Sequence, residues 1–149
     1  MNTSIGVIIL ASAVAYGTPL LYAALGELLA ERSGVLNLGV EGMMLLGAVM
    51  GFLAVQRVGG PAGFALPFAV LVAASAGAAG ALLLAFLVIT LRANQIVTGL
   101  ALTILAGGAG LSSYIGNDFD LAADPARYSF LPVDLFGLGD LPILGPVLF

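Results

Sequence analysis

The sequence predicts an all-α, polytopic membrane protein, and two observations carry that reading. Hydrophobic residues fill 61% of the 149 positions and charged residues only 8%, against about 25% charged in a typical soluble domain. The apolar residues also fall in long runs divided by short polar breaks. A helix needs about 20 such residues, at about 1.5 Å each, to cross about 30 Å of hydrocarbon. Four of the eight acids and one of the four arginines crowd into residues 117–134, which leaves the remainder barer still. So few charges do not solvate the surface of a soluble globule.

The first expected span is residues 5–25, with Gly17, Thr18 and Pro19 near its middle. A kink is expected there, with the threonine or a neighbouring helix satisfying the backbone group that the proline frees. The second, residues 38–55, is short and broken from the first by a Gly/Asn-rich bend. Gly42, Gly47 and Gly51 form one small-residue flank on it, suited to close approach by another helix. The third, residues 63–91, is longer than one perpendicular crossing needs. Its centre reads AASAGAAGA, with Gly77 and Gly80 as packing positions. Residues 96–114 form the fourth, carrying Thr98, Thr103, Ser112 and Ser113, and loosened in its second half by Gly107, Gly108 and Gly110.

Together residues 1–115 make a helical bundle. From Gly116 onward, Asp118, Asp120, Asp124, Pro125, Arg127, Pro132, Asp134 and Asp140 interrupt every short apolar run. Residues 116–149 therefore read as an acidic, Pro/Gly-rich extramembrane loop leading toward a further span that is missing here. The apolar ending at Phe149 reads as a frame cut before that span.

Polar residues within this apolar chain need an account. Glu27 and Glu31, four apart, share a helix face, and Arg32 follows. They read as a water-facing helix end on the cytosolic side, or as a contact for a cytosolic partner. Asn37 is placed as the N-cap of the second helix, with Glu41 in its first turn complementing the helix dipole. The pair is one residue off a capping box. An ionisable residue within the membrane also suggests a transport path. Asn94, Gln95 and Thr98 start the fourth helix, either as its cap or as groups that hydrogen-bond a polar solute on that path.

Several function classes are excluded. Without Cys or His, and with four arginines as the only basic residues, the chain lacks thiolate or imidazole metal sites and the base of a serine intramembrane protease. All five Asp lie after Gly116, so no aspartyl pair faces the membrane interior. No GxxxxGK[ST] run occurs, and a net charge of −4 is no footprint for nucleic acid. No catalytic residue, metal ligand or cofactor is expected, and the chain does not read as an enzyme. The N-terminus has no basic residue before its apolar run and does not read as a signal peptide. Orientation by charge is a tie, with Arg32 and Arg92 on one side and Arg57 and Arg127 on the other.

Two motifs bring a family into view. Gly34-Val35-Leu36-Asn37-Leu38-Gly39, with Glu41-Gly42 and then Leu46-Gly47-Ala48, resembles the signature bend of the permease subunits of bacterial ABC importers for branched-chain amino acids, ribose and nucleosides. The run RANQIVTGLALTI, Arg92 to Ile104, is similar to the family's next cytosolic turn and helix start. ERSGVLNLGVEGMMLLGA and ANQIVTGLALT look closest to the nucleoside permeases. The resemblance covers essentially the whole chain but only the N-terminal half of such a permease, and nothing matches the helix that docks on the ATPase.

The resemblance implies a cell-membrane protein with its N-terminus outside, residues 27–36 and Arg92 inside, and Arg57 and the acidic tail outside. It implies as partners a separate ABC ATPase that hydrolyses ATP, a second permease subunit in a heterodimer, and an extracytoplasmic solute-binding lipoprotein. The expected function is part of the translocation path for a small polar solute, nucleosides first and a sugar or branched-chain amino acid second. A small assembly protein packing by its Gly/Ala faces is a different class of reading. A secondary-transporter fragment would need coupling-ion acids within its spans, where only Glu41 stands.

Overall fold

A computed structural model describes residues 5–58, 62–107 and 110–118. The described elements are helical: α1 (Ile5–Arg32), α2 (Val40–Val58), α3 (Ala62–Ala85), α4 (Gln95–Ala106) and α5 (Leu111–Asp118), with a π-helical turn over Phe86–Thr90. The chain divides into two units, one of Met1–Gly26 with Leu131–Phe149 and one of Glu27–Phe130.

Of the first unit, the described part is the bulk of α1. This 28-residue helix is about 42 Å long, which exceeds the hydrocarbon thickness of a bilayer. Its apolar side chains are largely exposed, Ile9 by 61% and Leu20 by 62%, as lipid-facing or helix-facing residues would be. Pro19 lies inside the helix. The Thr18 hydroxyl donates to Val14 O at 2.7 Å. That carbonyl is one residue before the Ala15 carbonyl that Pro19 leaves without its helical donor, so Thr18 does not fill the gap expected of it.

The second unit begins with the end of α1. There Gly34 adopts φ +84°, Gly34 N–H donates to Glu31 O at 2.9 Å and Val35 N–H to Ala30 O at 3.1 Å. This pair of bonds is the Schellman arrangement, which ends a helix on a left-handed glycine and satisfies its last carbonyls. The chain then turns and starts α2.

Helix α2 sits between α3 and α4. A Cβ built on Gly47 would stand 3.1 Å from Ala73 O, and one on Gly51 would stand 3.0 Å from the Ala73 Cβ. Gly80 lies against Met43 in the same way, at 3.2 Å from its Cγ. These pairings run in opposite directions along the two sequences, so α2 and α3 are antiparallel. On the other flank a Cβ on Gly42 would meet Thr103 Cα at 2.8 Å, and one on Gly39 would meet Leu102 Cδ2 at 3.1 Å. That register runs the same way in both helices, so α4 is parallel to α2. Two apolar clusters fill the contacts, Met43 with Leu84, Val88 and Leu102, and Ala54 with Val55, Leu66 and Ala69.

Three helices, Ile5–Arg32, Val40–Val58 and Gly63–Thr90, are long and apolar enough to cross a membrane. With the shorter α4 they make an all-α polytopic membrane protein. The expected fourth span, residues 96–114, is divided. Helix α4 stops after 12 residues, about 18 Å, and Gly107 leaves it in an extended conformation before α5 begins at Leu111. The glycines at 107 and 110 are the physical reason, since they bring backbone freedom and no side chain to pack. Residues 116–118, read from sequence as the start of the loop, belong to α5. The remainder of that expected loop lies outside the described residues.

Candidate functional site at the α1–α2 joint

Three of the polar residues singled out in the sequence, Glu27, Asn37 and Gln95, converge on one place, the joint between α1 and α2. Its backbone leaves helical bonding after Val35, and four of the freed groups are met by side chains. Leu36 N–H donates to Gln95 Oε1 at 2.7 Å. Asn37 N–H donates to Glu27 Oε1 at 3.0 Å. Leu38 O accepts from the Thr103 hydroxyl at 3.0 Å, and Gly39 N–H donates to Asn37 Oδ1 at 3.2 Å. In lipid or at its edge an unsatisfied backbone group is expensive, so this set explains why Glu27, Asn37, Gln95 and Thr103 appear in so apolar a chain.

Asn37 differs from its expected role. Gly39 O accepts from Met43 N–H at 3.0 Å, which puts Gly39 at the cap position of α2. Asn37 stands two residues earlier and forms an Asx turn that leads the chain into the helix. Its Nδ2 lies 3.8 Å from Met43 Sδ, a weak contact. Glu41 does fall in the first turn of α2, and its side chain is exposed.

Asn94 caps α4. Its Oδ1 accepts from Ile96 N–H at 3.0 Å and Val97 N–H at 3.2 Å, in the extended backbone conformation that a cap adopts. Thr98 follows in the first turn, half-buried, its N–H bonded to Asn94 O at 2.9 Å. The turn before this cap is tight. After the π-helical segment, Arg92 sits at φ +53° and Ala93 N–H reaches back to Leu87 O at 3.0 Å. Arg92 thus occupies a left-handed position that glycine usually takes.

Of the three residues at the end of α1, Glu31 and Arg32 are exposed, whereas Glu27 is half-buried. Glu27 Oε2 is sealed from solvent with no hydrogen-bond partner among the described residues. Thr103 was not singled out as a site residue from sequence. Its signal was its spacing four residues after Gly99 on one face of α4, the face that meets the joint. A Cβ on Gly99 would lie 2.9 Å from Gly39 N and 3.0 Å from Leu38 Cβ.

Beside the joint is a cleft of about 200 Å³ lined by Ser33, Val35, Asn37, Met43, Leu84 and Ile89, among others. A second, apolar cleft of about 300 Å³ lies between α2, α3 and α4. Of the five path candidates, Asn37, Asn94 and Gln95 engage their side-chain oxygens on backbone. Among the described residues, Glu41 and Thr98 show no side-chain bond of that kind.

Antiparallel and parallel apolar helices, joined by a polar turn, define an integral membrane protein of the multi-pass α-helical class. Residues 9–142 match the family described as the branched-chain amino acid transport system / permease component, and the chain belongs to that family. It is 38% identical over 143 residues to the guanosine ABC transporter permease protein NupQ of Bacillus subtilis, covering 95% of this chain and 45% of that protein. It is 47% identical over 109 residues to the putative glucose ABC transporter permease protein TsgC13 of Haloferax volcanii, covering 73% and 31%. It is 34% identical over 105 residues to the nucleoside ABC transporter permease protein NupC of Lactococcus lactis, covering 70% and 33%. The chain spans less than half the length of each of these curated relatives. No solved structure matches it.

Proposed function

We propose that this chain forms part of the membrane path of an ABC-type importer for a small polar solute, with nucleosides as the substrate class. The observation that carries the reading is the 38% identity to a guanosine permease across 95% of the chain. A polar solute loses its hydration on entering the bilayer, so the path must offer hydrogen-bonding groups in its place. Glu41 and Thr98 are the candidates for that work. Asn37, Asn94 and Gln95 act on the path indirectly, by fixing the backbone from which α2 and α4 start.

The chain carries no nucleotide-binding loop, so the energy comes from a separate ATPase subunit, and this chain is not itself an enzyme. A second permease subunit and an extracytoplasmic lipoprotein that captures the solute complete the assembly. The joint and Arg92 face the cytosol, and Arg57 faces outward. Alternating access follows from rigid movement of helix bundles around the path.

A sugar permease is the second reading, supported by the 47% identity to a glucose permease. Uptake of labelled guanosine and labelled glucose, in cells with and without this gene, separates the two. Guanosine uptake that falls on deletion and returns on complementation supports the nucleoside reading. Loss of glucose uptake alone favours the sugar. No change in either rejects an importer of these solutes.

A further inference from the structure

The α1–α2 joint has the construction of a latch. Leu36 and Asn37 N–H are held by Gln95 and Glu27, at 2.7 and 3.0 Å. The two ends of the joint are fixed differently. On the α1 side stands Gly34, left-handed, with nothing within 4 Å of where a Cβ would lie and held only by backbone bonds to the end of α1, a position whose backbone can take other conformations once those bonds part. On the α2 side, Leu38 and Gly39 are tied to α4 by Thr103 and by the close approach of Gly99. The segment between has a hinge at one end and an anchor at the other.

Opening this segment has compensations. Leu36 is exposed, so its N–H finds water once Gln95 lets go. Glu27 Oε2, sealed and without a hydrogen-bond partner among the described residues, reaches water when Glu27 is released. A buried acceptor left unsatisfied carries a desolvation penalty comparable to a lost hydrogen bond. The closed state therefore holds two bonds at the expense of one orphaned carboxylate oxygen, which narrows its advantage over an open state, as a switching element requires.

We propose that the joint opens and closes during the transport cycle, with Gln95 and Glu27 as positioning residues that hold it closed. The proposal rests on the importer reading above. Hydrogen exchange read by mass spectrometry tests it on the assembled transporter in lipid nanodiscs, nucleotide-free and trapped with ADP and vanadate. The peptide covering residues 33–39 exchanges several-fold faster in one state than in the other, while the α2–α3 contact around Gly47 and Ala73 exchanges alike in both. Gln95→Ala raises exchange in the closed state by roughly threefold to tenfold, the loss of one hydrogen bond, and Gln95→Glu, which keeps the acceptor, restores protection.

The comparison between states uses the unmodified protein and does not depend on any variant folding. Equal exchange in both states, in a transporter that accumulates solute with ATP, makes the joint a static strut and overturns the latch alone. If deletion of this gene leaves ATP-dependent uptake of guanosine and glucose intact, the importer reading fails and the latch falls with it.

Discussion

Gln95 and Leu36 stand 59 residues apart in sequence, yet the Gln95 carboxamide accepts the Leu36 backbone N–H at 2.7 Å. This bond brings the α1–α2 joint and the turn between α3 and α4 to the same end of their unit. Removing it with Gln95→Ala lowers stability by about 0.5–1.5 kcal/mol, the net worth of such a bond, and Gln95→Glu loses less because an acceptor remains. Thermal unfolding in detergent measures both.

Gly42 is the tightest point between α2 and α4. Gly42→Ala puts a Cβ 2.8 Å from Thr103 Cα and 2.9 Å from Leu102 O. Both are backbone atoms, so the helices must separate, at about 1–3 kcal/mol. Gly77→Ala is the contrasting case, with its nearest neighbour at 3.7 Å. It is neutral or stabilising, by up to about 1 kcal/mol of helix propensity. Expression and unfolding temperature of the two variants, side by side, give the comparison.

Asn94→Ala removes the acceptor for Ile96 and Val97 N–H and lowers stability by about 1 kcal/mol. Asn94→Asp keeps the cap and the stability. A solute-binding role would show the opposite split, with Asn94→Ala changing uptake affinity at unchanged unfolding temperature.

At Arg92 the left-handed backbone, φ +53°, sets the order of substitutions. Arg92→Gly keeps or raises stability because glycine adopts this conformation freely. Arg92→Val lowers it by about 1–2 kcal/mol, since a branched Cβ crowds the carbonyl there. An unfolding series that ranks valine above glycine contradicts the assignment.

Much of the fold was legible in the sequence because hydropathy and helix length act locally. The apolar runs mark α1, α2 and α3, and the glycines mark where helices approach α2, although Gly47 and Gly51 meet α3 while Gly42, expected on the same flank, meets α4 on the other. Asn94 was readable as a helix start because capping spans only three residues. The division of residues 96–114 was only half legible. The glycines were visible as a loosening, but whether a helix continues through them depends on what packs alongside.

The joint was the least legible part. Glu27, Gln95 and Thr103 serve backbone groups that are distant in sequence, and spacing carries no trace of such pairs. Asn37 was expected as the N-cap of the second helix, but α2 starts at Val40, which makes Asn37 the Asx turn before the cap instead. Arg92 gave no signal at all, since nothing in its side chain favours a positive φ.

The central claim is that this chain serves ATP-driven uptake of a nucleoside. Its most direct measurement is accumulation of labelled guanosine in proteoliposomes holding the permease assembly, the ATPase and the binding protein. The account predicts accumulation that requires ATP, is lost when the subunit containing this chain is omitted, and is not displaced by excess glucose. Accumulation that persists without ATP, or without that subunit, would contradict it.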